Sequence, residues 1–437
     1  MILFFKNIYH EFVNSKYMKD IFVLTTGVGL SQLIPLLLLP ILTRFFSPAD
    51  FGVLAIFMAI AQLLAISSTF RLEMAVVLPK KDTDAAILCL MSFFTLLFIS
   101  IILLLLIFFL FNFILLDDLR TGVLLQNSQV NTFFSNLAVI YLIPVGGLCL
   151  GFYNILYSWN NRMELYKNMS ISHITHSAFS TPLAIFFYFS SFKSLALIFG
   201  QIIGRFFACL FLLKHLFQTI KLINRSSLIN QVKLLVADYR KFIIYETPHT
   251  ILNFFSQKII LALFSVFFGF FTVGIFDLAD KILAKPLGII SNSFKTVFYK
   301  RLTTAHDKIN IFKKSVFLMT AICCVLVLPF YFIPDNFFIY VLGSEWGDTG
   351  KYIKLLCPLL FIRFITNVIS PSISYSLQNH YLLIWQIVYF LLLVCLFYCI
   401  YTFPVEDVLF LYALLGSVMY LVLGFIAFLV LKKYIKK

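Results

Sequence analysis

The chain has 437 residues, of which 61% are hydrophobic and only 12% charged, against roughly 25% charged in a soluble domain. That composition excludes a water-soluble globule and points to an integral membrane protein. The net charge of +15 does not make it a nucleic-acid binder, because no basic patch with interleaved aromatics accompanies it; basic loops beside anionic headgroups account for the excess.

An apolar run of about 20 residues crosses a bilayer as a helix. Such runs fall at 21–46, 50–71, 86–112, 133–158, 170–190, 194–217, 242–268, 272–298, 314–333, 351–375, 381–402 and 407–431, predicting an all-α protein with twelve spans. The first run lacks a small-residue cleavage site and reads as a retained span. With the N-terminus inside, the inner segments hold twenty-two Lys and Arg, and the outer loops only Arg120, Lys193 and Lys351. This asymmetry predicts cytoplasmic termini. Residues 218–241 alternate basic and apolar positions at helical spacing, which predicts an interfacial linker between six-helix bundles at 1–217 and 242–437.

Between the first two spans lies PILTRFFSPADFG, Pro40 to Gly52. Arg44 at a span end reads as an anchor snorkelling to the interface. Ser47, Pro48 and Asp50 form a helix start: a cap, a proline at the first helical position, and an acid three residues after the cap. Residues 45–57 can be laid on 267–279 with a constant offset of 222, matching Phe45, Phe46 and Gly52 to Phe267, Phe268 and Gly274. Six spans being an even number, the two halves would form a parallel repeat. Pro35, Pro40, Pro144 and Pro182 are expected bending points.

The eight cysteines sit in apolar runs without metal or redox spacing and read as small core residues. No nucleotide-binding loop, metal-ligand cluster or Ser/His/Asp set is visible, so neither a cofactor, a metal nor a catalytic residue is expected.

Arg44, Arg71, Lys295 and Lys354 lie near span ends, where snorkelling explains them. Arg205, Lys258, Lys285 and Arg363 lie near span centres, where a cation costs roughly 2.5 kcal/mol or more. They must face water, a counter-charge or a ligand. Asp277, Lys281 and Lys285 recur every four residues along span eight, and Pro286 should kink that helix. Glu246, His249, Asn253 and Gln257 give span seven a polar stripe, as Arg363, Asn367, Ser370 and Ser374 do span ten. The candidate substrate-binding residues are therefore Arg205, Lys258, Lys281, Lys285, Arg363, Asn253 and Asn367, which suit an anionic group at the midplane. Glu246, His249, Asp277 and Asp280 are the candidates for proton or cation coupling. Internal ion pairing among these groups is the competing explanation.

The strings SQLIPLLLLPILTRFFSPADFGVLAIF at 31–57, RLEMAVVLPKKDTDA at 71–85 and YETPHTILNFFSQKIILALFSVFFG at 245–269 resemble the Wzx-type O-antigen and capsule flippases. These are polysaccharide biosynthesis proteins in the multidrug/oligosaccharidyl-lipid/polysaccharide exporter superfamily. Arg44, Ser47, Pro48, Asp50, Gly52, Arg71 and Glu73 carry the family pattern; Glu246 and Lys258 depart from it, standing where neutral residues are expected. The resemblance implies a MATE-like fold in the bacterial inner membrane and ion-driven transport, as by an antiporter. The implied substrate is an undecaprenyl-pyrophosphate-linked oligosaccharide for lipopolysaccharide O-antigen or capsule, with membrane lipid, a polysaccharide polymerase or glycosyltransferases as further partners. Alternatives are a drug or lipid II exporter of the same superfamily, or a multi-span polymerase or ligase. The outer segment 113–132 offers such an enzyme only Arg120 and no His.

Overall fold

A computed structural model describes the backbone of residues 16–121, 137–190, 195–223, 228–304, 307–376, 378, 380–400 and 402–436. In chain order the helices are α1 (Lys16–Leu37), α2 (Leu39–Phe45), α3 (Pro48–Ser68), α4 (Leu72–Ala75), α5 (Asp82–Thr121), α6 (Leu137–Arg162), α7 (Tyr166–Tyr188), α8 (Ala196–Ile220) and α9 (Leu228–Lys241). A π-turn at Phe242–Glu246 leads into α10 (Thr247–Thr304), followed by α11 (Lys308–Val327), α12 (Pro329–Phe332) and α13 (Asp335–Leu342). A 3₁₀ turn, Ser344–Trp346, precedes α14 (Thr349–Ile369), α15 (Pro371–Tyr375), α16 (His380–Ile400) and α17 (Val405–Lys436). There is no strand among the described residues.

Ten of these stretches are long and apolar enough to cross a membrane. The other two expected spans have physical explanations. Gly269, at φ 78° and ψ 172°, breaks α10 into two helices, within the predicted gap between spans seven and eight. Only a glycine adopts that backbone without strain. Helix α7 is long enough to span but too polar to register; its Ser170, Ser172, Thr175, Ser177, Ser180 and Thr181 are buried. A span packed between neighbours, here α1 and α8, need not be apolar, and small residues allow close approach. Gly200 and Gly204 of α8 press on Ser180 and its neighbours, and Gly27 of α1 on Ser170. The helix of span one is interrupted at Leu38, between Pro35 and Pro40. Through Pro286 α10 keeps helical dihedrals, and its non-helical residue is Gly269.

Packing divides the chain into two units, Met1–Leu38 with Val53–Phe254, and Leu39–Gly52 with Phe255–Lys437. In the first, Trp159, Leu156, Leu88 and Leu96 are fully buried. Helix α9, in the segment expected to be a linker, lays Leu228, Val232, Leu235 and Tyr239 on that core. In the second, Phe264 is fully buried among Phe268, Phe276 and Phe397.

The first hairpin turn, 39–52, belongs to the second unit. The capping box forms as the sequence predicts: the amide and hydroxyl of Ser47 donate to Asp50 Oδ2 at 2.9 and 2.8 Å, and the Asp50 amide donates to Ser47 Oγ at 3.3 Å. Arg44 is exposed, and its Nη2 donates to the Tyr340 carbonyl at 2.6 Å, satisfying the end of α13. Trp346 Nε1 donates to the Thr43 carbonyl at 3.2 Å, and Phe51 meets the Trp346 ring edge-on at 5.1 Å. Gly52 lies against the Phe270 carbonyl and Gly274 against the Pro48 carbonyl. Positions 48 and 270, like 52 and 274, differ by the offset of 222, so the sequence repeat reappears as a reciprocal contact.

Candidate functional site

In the first unit the candidate site is built around Arg205, midway along α8. Its guanidinium carbon stands 4.7 Å from the centre of the Tyr153 ring, a cation–π arrangement. The Tyr153 hydroxyl shares a hydrogen bond with Ser172 Oγ at 3.1 Å. His173 meets Tyr153 and Tyr157 edge-on at 6.0 and 5.3 Å. Arg205 has no carboxylate ion-pair partner among the described residues. A cavity of about 10 Å³ beside it is lined by Phe57, Met58, Gly146, Cys149, Gln201 and Ile202, among others, which is room for one water at most. Tyr153 and Tyr157, one helical turn apart, look like core aromatics in the sequence. The readable sign was the polarity of the fifth span, which supplies Ser172 and His173.

In the second unit, two of the expected charges are neutralised locally. Asp277, buried, pairs with Lys281 one turn later on α10. Arg363 Nη2 donates to Asp280 Oδ1 at 3.3 Å. Around this pair stand Tyr389, Tyr412 and Tyr420; Trp385 stacks on Tyr389 at 5.4 Å and fixes its Nε1 on the Met419 carbonyl at 2.7 Å. Lys285, half-buried one turn beyond Lys281, has no ion-pair partner among the described residues. Lys258 is exposed, equally without an ion pair there.

Asn253 and Glu246 are half-buried and Asn367 is exposed; the side chain of His249 lies outside the described residues. Glu246 and Asn253 fall in the first unit, Lys258 and Asn367 in the second, so the stripe drawn along span seven is shared between units. Arg71 and Glu73 form an ion pair of their own at 3.1 Å. All eight cysteines are free, and no cluster of metal-ligating residues occurs among the described residues.

Residues 41–350 match the family model described as "Polysaccharide biosynthesis protein". Among solved structures, an inward-facing multidrug resistance MATE family transporter of the MOP superfamily aligns with TM-score 0.64 and 15% identity, over 94% of this chain and 96% of its own. An outward-facing MATE transporter aligns at 0.56 and 14%, over 96% of both. A MOP superfamily transporter from Pyrococcus furiosus, described as having a binding pocket of reverse polarity, aligns at 0.59 and 12%, over 98% of both. These likenesses establish the MATE-type fold. No curated protein sequence matches the chain.

Proposed function

The chain belongs to the polysaccharide biosynthesis protein family, and on that footing we propose that it is an exporter that flips a polyprenyl-pyrophosphate-linked oligosaccharide. The direction is from the cytoplasmic to the outer leaflet of the bacterial inner membrane, by alternating access. The observation that carries this reading is charge left over after pairing. Arg205 and Lys285 each stand within a span with no carboxylate ion-pair partner among the described residues. A cation held there costs roughly 2.5–3.5 kcal/mol, and an anionic ligand offsets that cost. A pyrophosphate accepts charge-assisted hydrogen bonds from Arg and Lys, and Tyr153, Tyr157 and His173 add polar edges suited to sugar hydroxyls. The pocket at Arg205 is nearly closed in this conformation, which suits a site that opens during the cycle. A cationic drug would want carboxylates instead, and here Asp277 and Asp280 already hold Lys281 and Arg363. The pocket of reverse polarity described for the Pyrococcus furiosus transporter is a precedent for such a difference within the fold.

The test is flipping of a fluorescent polyprenyl-pyrophosphate oligosaccharide in proteoliposomes by the native chain, Arg205→Ala, Lys285→Ala and the double variant, each checked for folding. Native flipping that stalls in the folded variants supports the reading. Undiminished flipping by the double variant refutes the cationic site, and extension of the glycan by the native chain would reveal an enzyme.

A further inference from the structure

The turn joining α3 to α5 has features that packing alone does not account for. Phe70 and Arg71 both have positive φ, 50° and 56°, two consecutive non-glycine residues in the left-handed region. Such strain persists only where the surroundings enforce it, and it concentrates at functional sites. Its effect here is to fold Glu73 inward, leaving its side chain 3% exposed against 18% for Arg71.

The enclosure is apolar. Leu72, Ala75, Val76 and residues Ala85 to Cys89 are all essentially inaccessible. Arg71 Nη1 donates to Glu73 Oε1 at 3.1 Å, but Glu73 Oε2 and Arg71 Nε are buried without a hydrogen-bond partner among the described residues. The nearby Thr69 hydroxyl is directed to the Ala65 and Ile66 carbonyls, at 3.1 and 3.3 Å. Burial with only one of its two oxygens hydrogen-bonded disfavours the charged form of a carboxylate.

Helix α4 packs on α5, α6 and the π-turn at 242–246. Among the charged and titratable groups of these elements are Asp82, Asp84 and Cys89 on α5, Arg162 on α6, and Glu246 in the turn. Arg162 is committed to Asp82 Oδ1 at 2.8 Å and to the Val76 carbonyl at 3.0 Å, so it offers Glu73 no bond. Burial pushes the Glu73 carboxyl above the ordinary carboxylate range, while Arg71 and the Thr69 hydroxyl beside it oppose the shift.

We propose that Glu73 is the proton-binding carboxylate of the transport cycle, alternating between an ion pair with Arg71 and a neutral acid protonated at Oε2. The proton comes from water at the end of the unit that carries Lys80, Lys81 and Arg162, and returns to water when the pair reforms. This inference rests on the exporter reading for its role in transport. It adds Glu73 to the coupling candidates Asp277 and Asp280, which are likewise paired with a cation, Lys281 and Arg363 respectively.

Two measurements test it. Isotope-edited infrared spectra of the purified protein with ¹³C-labelled glutamate, titrated from acid to alkaline pH, should contain a protonated carboxyl band that titrates above the free-glutamate range. The band should be lost in Glu73→Gln and move to higher pH in Arg71→Gln. Absence of the band from the native protein, or its survival in Glu73→Gln, overturns the proposal and leaves a structural ion pair. In proteoliposomes, native flipping should respond to an imposed pH gradient and Glu73→Gln flipping should not; a variant that keeps its gradient response also overturns it. If the native chain flips nothing, the exporter reading fails while the infrared titration still decides whether Glu73 binds a proton.

Discussion

The reciprocal contact at Gly52 and Gly274 gives the sharpest test of the repeat. A Cβ on Gly52 would run into the backbone carbonyl of Phe270, and one on Gly274 into that of Pro48. A carbon needs about 3.5 Å from a neighbouring heavy atom, and backbone carbonyls cannot rotate away, so the helices must separate by on the order of 1 Å. Overpacking of that kind costs about 1–3 kcal/mol, against which alanine returns up to about 1 kcal/mol of helix propensity. Gly52→Ala and Gly274→Ala should therefore each lose about 1–2 kcal/mol net. Because both methyls press on one crossing, the double variant should lose less than the sum. Gly288, also within α10, has nothing within 4 Å of its notional Cβ, so Gly288→Ala should be neutral or gain up to about 1 kcal/mol. Thermal unfolding of the purified variants in one detergent measures all four. Melting of Gly52→Ala and Gly274→Ala at or above the native temperature, as for Gly288→Ala, would refute the crossing.

Asp280→Ala strands the Arg363 cation; with the pair's side chains 28% and 33% exposed, the loss should be about 2–3 kcal/mol, between surface and fully buried pairs. Removing both charges, Asp280→Leu with Arg363→Met, should recover most of it in the same melts. Ser47→Ala removes the α3 cap and should cost about 1 kcal/mol, with Ser47→Thr retaining most of the stability. Glu73 has a raised value in the fold, so its contribution to stability is full below the ordinary carboxylate value and is lost as pH rises through the folded value. A pH series of melting temperatures should show this loss in the native chain and not in Glu73→Gln.

What was legible in the sequence was local. The cap at Ser47, the interruption between Pro35 and Pro40, and the break before span eight each depend on residues within one turn of chain, and each stands where the pattern put it. The Asp277–Lys281 pair was legible for the same reason, being one helical turn apart. Two parts were not. Span seven looks continuous because Glu246 to Gln257 keep a helical period, yet the division between units at Phe254 and Phe255 is a matter of packing, on which periodicity is silent. Similarly, Arg205, Lys285 and Arg363 look alike as mid-span cations, but among the described residues only Arg363 of the three forms an ion pair, and its acid is 83 residues away. Periodicity locates a charge in depth and on a helix face, while pairing is decided by which face of another helix it meets. The four central cations of the sequence therefore do not carry equal weight. Once Asp280 has neutralised Arg363, and Lys258 stands exposed, the half-buried positive charge left without an ion pair among the described residues rests on Arg205 and Lys285. An account of anion handling must begin with those two.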